Sequence, residues 1–126
     1  MNKKDTASAL LREFKADSYI FGLGCFEQLG ELAAGYGDRA SVITSGMGSE
    51  WAGDMHVRIR ASLEAGGLAM AGDMIPGAAP NAPREDVFRL AAALRDQNPD
   101  VVVAVGGGSG IDAAKCALAH VALGDL

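Results

Sequence analysis

VVVAVGGGSGIDAAK, residues 101–115, runs five apolar residues into three glycines, a serine and a helix-forming segment. A run of that kind without polar alternation reads as a fully buried central strand of a parallel sheet. IDAAKCALAHVAL, from Ile111 onward, reads as the helix that the strand feeds, and Gly106, Gly107, Gly108 and Ser109 form the turn between them. Glycine loses more freedom on folding than any other residue, so three together imply that something approaches the backbone closely. Successive amides without side chains can curl around an anion, and the positive end of the helix adds to the attraction. A pyrophosphate is the natural occupant. A plainer reading stands beside this one: the glycines only tighten the turn, Ser109 and Asp112 make an S-x-x-D capping box, and Lys115 is a solvated helix residue.

Outward from that stretch, SVIT (41–44) and LAMA (68–71) are also apolar runs of strand length, and YIFG (19–22) adds a further extended piece. Between them lie helical spacings: Phe26, Leu29 and Ala33; Trp51, Met55, Ile59 and Leu63; Val87, Leu90, Ala91 and Leu94; Ile111, Ala114, Leu118 and Val121. Gly35 and Gly37, then Gly66 and Gly67, stop the first two helices, and Pro99 closes the third. Strands alternating with helices predict an α/β fold, a doubly wound, mostly parallel sheet with helices on both faces. Ligands in such folds bind beyond the C-terminal ends of the strands. The informative loops are therefore SGMGSE (45–50), the proline-rich segment 72–86, which reads as one long shaped loop, and GGGSG (106–110).

A chain of 126 residues suits one domain and hardly two, so residues 1–126 are expected to form one. The net charge is −5 and no block of lysine or arginine occurs, which argues against a nucleic-acid partner. Residues 1–21 lack the continuous apolar region of a secretory signal, and no stretch approaches the ~20 apolar residues of a membrane span. The expectation is a cytoplasmic protein without a membrane partner. Cys25 and Cys116 lie far apart outside any metal-binding spacing and read as small buried hydrophobes. His56 and His120 have no second histidine or carboxylate at ligand spacing, because Asp54 is two residues from His56 and so on another helix face.

Two common nucleotide motifs are not met. A P-loop needs GK[ST] after its spacer, and G-x-G-x-x-G needs glycine where Ile111 stands. GGGSGIDAAK instead resembles the GGGSxxDxAK signature of the iron-containing (group III) alcohol dehydrogenase family. PNAPREDV (80–87) resembles that family's PNPTxExV loop, FGLGCFEQLGEL its FGxGxxxxLGE entry, and SVITSGMG the strand carrying its first nucleotide contacts. The resemblance covers about residues 19–123. It implies a Rossmann-like, dehydroquinate synthase-like N-terminal domain that binds NAD or NADP. Gly108, Ser109 and Asp112 match positions lining the dinucleotide site, Gly106 and Gly107 lie beside the phosphates, and Gly110 and Ile111 fill the variable places of the same segment. Asn81 matches the asparagine of the proline loop near the cofactor; capping of the helix from Arg84 is its other reading. Ala82 replaces the family's second loop proline, with Pro83 one place later. Ser45 stands where many members have an aspartate that holds the adenine ribose. An acid there favours NAD by repelling a 2′-phosphate, yet SGMGSEWAGD offers no arginine or lysine to attract one, so the choice between NAD and NADP stays open.

The resemblance also implies a following helical domain whose aspartate and three histidines hold Fe2+ or another divalent metal. Those ligands are not in this chain, which reads as a truncated N-terminal part without the metal site. The expected role is support of hydride transfer between a primary alcohol or aldehyde and the nicotinamide. A non-catalytic nucleotide-binding or interaction module, or a glycerol dehydrogenase or dehydroquinate synthase relative, are the alternatives. Apolar surface left uncovered predicts self-association.

Overall fold

A computed structural model describes residues 2–124. The elements run α1 (Lys3–Lys15), a 3-10 turn (Ala16–Ser18), a second (Phe26–Gln28), α2 (Leu29–Ala34), β1 (Arg39–Thr44), α3 (Ala52–Ala65), β2 (Ala69–Met70), β3 (Ile75–Pro76), α4 (Arg84–Gln97), β4 (Val101–Val105) and α5 (Gly108–Leu123). All strand pairs are parallel. β1 is central: β4 pairs along one edge from Ala40–Val101 to Thr44–Val105, and β2 and β3 share the other. The β2–β3 side is one rank with two extra residues, since Arg39 opposes Ala69 whereas Thr44 opposes Pro76.

Because successive strand residues face opposite ways, β1 feeds two cores. Ala40 and Val42 join Ile59 and Leu63 of α3, together with Leu68 and Val103. Ile43 joins Leu90, Ala91 and Leu94 of α4 and Ala113, Ala114 and Ala117 of α5. Ile59, Leu63 and Leu90 have no solvent exposure, and each such side chain contributes on the order of 1.5–3 kcal/mol. α4 is marked by Glu85 and Asp86 in its first turn and Arg95 in its last, complementing the helix dipole. It ends where Asn98 turns left-handed (φ 48°, ψ 61°), one residue before Pro99. α2 and α3 meet closely: a Cβ on Gly30 would fall on the backbone of Ser62, whose hydroxyl accepts from the Gly30 N–H and donates to the Glu27 carbonyl.

Several expectations change. VVVAV is a true strand, but among the described residues it pairs only with β1, and only Val103 is buried, so β1 holds the central place. Its apolar run reflects two covered faces, which periodicity cannot distinguish from a covered edge. YIFG is irregular: no strand edge receives it, Tyr19 stacks on Phe21, and Phe21 is exposed. Segment 72–86 is not one loop, because Ile75–Pro76 joins the sheet and α4 begins at Arg84. On α5 the inward face is Ala113, Ala114 and Ala117, whereas Leu118 is exposed. Small side chains let α5 lie close against α4, and that packing overrides the larger residues. The same rotation leaves Cys116 exposed, and Cys25 is half-buried, so neither is a buried core residue. α1 buries nothing. Among the described residues, no helix is long and apolar enough to cross a membrane.

Candidate functional site at the ends of the parallel strands

Parallel pairing brings the C-terminal ends of β1, β3 and β4 to one edge of the sheet, and Ser45 sits at their junction. Its N–H donates to the Val105 carbonyl (2.9 Å), while the Gly77 N–H donates to the Thr44 carbonyl (2.9 Å). Three glycines, one in the loop after β3, one in the turn after β4 and one in the first turn of α5, surround the Ser45 side chain. A Cβ on Gly110 would stand 2.8 Å from its Oγ, one on Gly77 would stand 3.0 Å away, and one on Gly106 would overlap the hydroxyl. None of the three has a positive φ, so glycine is required there for space and not for conformation.

Gly107 and Gly108 differ. A Cβ on either would meet nothing within 4 Å. Gly107 has φ −81° and ψ −175°, an extended backbone open to any residue, and it is the N-cap of α5. It offers no side chain to cap the helix, so the amides of Gly108, Ser109 and Gly110, which have no intrahelical acceptor, stay open at the positive end of a sixteen-residue helix. The first intrahelical bond is the Ile111 N–H to the Gly107 carbonyl (3.0 Å). The Ser109–Asp112 capping box therefore does not form: the helix starts one residue before Ser109, which places its hydroxyl in the first turn instead of at the cap. Ser109 and Asp112 are exposed, and Ile111 is half-buried.

Asn81 lies exposed in the loop between β3 and α4, and no atom of it is within 4 Å of the place a Cβ on Gly106, Gly107, Gly108 or Gly110 would take. It does not cap α4, whose N-cap is Pro83 without a side-chain hydrogen bond. Both Asn81 (φ 67°) and Ala82 (φ 48°) are left-handed. Proline is held near φ −65°, so the missing second proline coincides with a backbone that proline could not adopt.

Sequence reasoning missed the groups that hold this loop. Arg89 donates through Nη1 to the Pro76 carbonyl (2.8 Å) and through Nη2 to the Gly77 carbonyl (3.0 Å). Asp86 accepts from the Ala79 N–H (2.8 Å) and pairs with Arg89 Nε (3.6 Å). Gly77 was also missed. Arg89 belongs to an ordinary exposed helix position by spacing, so no linear signal marks it.

Among the described residues, no group of three or more histidine, cysteine, aspartate or glutamate side chains is placed to hold a metal ion. His56 lies half-buried on α3 with Nε2 unpartnered, and His120 packs against the Phe88 ring, centroids 5.4 Å apart. The described residues do not fit a catalytic metal.

Residues 16–125 match the family model described as iron-containing alcohol dehydrogenase. Among solved structures, the chain is similar to a mutant of ADH/D1, an archaeal halo-thermophilic alcohol dehydrogenase from a Red Sea brine pool. The identity is 32% and the TM-score 0.68, over 81% of this chain and 25% of that one. ADH/D1 bound to the ligand NZQ matches equally well. The NADH-dependent butanol dehydrogenase A of Thermotoga maritima is 25% identical, with a TM-score of 0.69 over 85% of this chain and 26% of that one. Among curated proteins, none matches. The chain thus spans about a quarter of the length of the solved structures it resembles. Since the family model accounts for everything from the turn after α1 to the end of α5, the chain belongs to the iron-containing alcohol dehydrogenase family.

Proposed function

We propose that residues 1–126 contribute the diphosphate-holding part of a dinucleotide-binding domain in an NAD- or NADP-dependent alcohol dehydrogenase. The observation that carries this reading is the empty space at Gly107 and Gly108: no packing and no backbone angle in the chain calls for glycine at either. A ligand coming against the main chain supplies the missing reason. The open amides of Gly108, Ser109 and Gly110 hold the phosphates, with Gly106 and Gly107 beneath them, and the Ser109 hydroxyl adds a donor. Ile111 and Asp112 belong to the same contact segment, and Asn81 approaches from the loop anchored by Arg89. Ser45, at the end of the neighbouring strand, lies where the adenine ribose is recognised in dinucleotide folds. It presents no carboxylate against a 2′-phosphate, and SGMGSEWAGD offers no arginine or lysine to attract one, so the cofactor is NAD or NADP.

The nicotinamide, when bound, supplies the hydride acceptor for a primary alcohol or the hydride donor for an aldehyde. What this chain adds is binding and orientation. Titration calorimetry with NAD+ and NADP+ tests the reading. The wild-type chain is expected to bind, and Gly107→Val and Gly108→Val, with unchanged circular dichroism, to lose at least tenfold in affinity. A folded Gly107→Val chain that binds as tightly as wild type defeats it.

A further inference from the structure

Trp51 is the single tryptophan among the 126 residues, and its helical spacing with Met55, Ile59 and Leu63 marks it for the buried face of α3. Ile59 and Leu63 are buried there, but Trp51 is 54% exposed. The helix begins only at Ala52, so Trp51 is its N-cap and lies outside the periodic face; its side chain makes no capping hydrogen bond. A tryptophan can bury roughly 150–250 Å2, so leaving half of one in solvent forgoes a large part of that gain.

The loop after β1 holds the ring in place. Gly46 and Gly48 take φ 74° and 98°, the left-handed region that favours glycine. The loop closes on itself through the Ser49 N–H to the Gly46 carbonyl (3.0 Å) and the Ala52 N–H to the Ser49 carbonyl (3.0 Å). These turns bring the indole back onto Gly46, where an added Cβ would overlap Cζ2 and Cη2. Cε2, one bond from Cζ2, is already 3.5 Å from the same point, so the ring meets Gly46 by its edge and not by a face. Among the described residues, no aromatic ring stacks on the indole and no cation covers it. An aromatic anchored by one edge and half open to solvent is a stacking surface.

Its place in the fold selects what stacks there. Gly46 follows Ser45, which sits where the ends of β1, β3 and β4 meet, and the Ser45 Cβ lies 3.1 Å from the position of a Cβ on Gly106 in the glycine turn. With the diphosphate over Gly107 and Gly108 and the adenine ribose at Ser45, the indole borders the adenine end of the ligand. Adenine is planar and uncharged, and base-on-aromatic stacking needs only an open π-face.

We infer that Trp51 is an adenine platform: the base of the bound dinucleotide stacks on its exposed indole surface. The platform rests on the dinucleotide reading, and two ligands separate them. ADP-ribose carries the adenine, whereas inorganic pyrophosphate reads the glycine turn alone. Emission from the single tryptophan reports one site. ADP-ribose is expected to quench it over the concentrations at which calorimetry sees binding, and pyrophosphate to bind without quenching. Trp51→Ala, with unchanged circular dichroism, is expected to lose at least about fivefold in ADP-ribose affinity and to hold pyrophosphate as the wild type does, and Trp51→Phe to recover most of the loss. Gly107→Val is expected to weaken both ligands. ADP-ribose that binds without quenching overturns the platform and leaves the glycine turn standing. So does a Trp51→Ala chain that binds ADP-ribose as tightly as wild type, the result expected if other protein covers the indole, or one that loses pyrophosphate as well. A wild-type chain that binds neither ligand defeats the platform and the dinucleotide reading together.

Discussion

The Cβ of Ser45 stands 3.1 Å from the place a Cβ on Gly106 would take, so the end of β1 and the turn after β4 share one small volume. Gly106→Ala should therefore cost about 1–3 kcal/mol as an overpacking change. Ser45→Gly should return part of that loss, and a double-mutant cycle by urea unfolding should show coupling of about 0.5–3 kcal/mol. Strict additivity would mean that the two residues do not compete for that space.

One residue later the crowding is gone. Gly107→Ala meets no protein atom and an ordinary backbone, so the gain of about 0.4–1 kcal/mol through the unfolded chain should offset most of the cost of alanine at the N-cap, leaving stability within about 1 kcal/mol of wild type. Dinucleotide affinity should fall in the same variant. Thermal melts and calorimetry on one sample separate the two effects; a stability loss well above about 1 kcal/mol would show that Gly107 serves packing.

Arg89 holds the β3–α4 loop through two carbonyls while its side chain remains partly exposed. Arg89→Met should cost about 1–2 kcal/mol, below the upper range for charge-assisted bonds because of solvent screening. Hydrogen exchange should quicken over residues 77–83 more than in α4. Equal acceleration everywhere would indicate general destabilisation instead.

Restoring the proline typical of the family's loop, Ala82→Pro, should harm this chain. Ala82 has φ 48°, and the ring requires about −65°. A loss of more than about 1 kcal/mol is expected, whereas Ala82→Gly should be neutral or stabilising, because glycine takes positive φ without penalty. A stabilising Ala82→Pro would place this loop on a different path.

Much of the architecture is legible in the chain. The runs at 41–44, 68–71 and 101–105 coincide with β1, β2 and β4, and the spacings through Ile59 and Leu90 mark the buried faces of α3 and α4. The glycine turn and the resemblance it carries lead to the family found by comparison. Illegible were β3, whose two residues are strand only because β1 offers them partners, and the inward face of α5, chosen by closeness to α4 over side-chain size. The Ser109 cap also failed, because a one-residue shift in helix start depends on how β4 delivers the chain.

Periodicity and glycine placement are local properties, so β1, β4, the buried faces of α3 and α4 and the position of the glycine turn were determined by the sequence itself. Only the tertiary structure decided that β1 is the strand paired on both edges among the described residues, that Gly106 and Gly110 make room for Ser45, and that Gly107 and Gly108 make room for nothing inside the chain. The reason is distance along the polymer: Ser45, Gly77 and Gly110 are separated by dozens of residues, and parallel pairing alone brings their strand ends into contact.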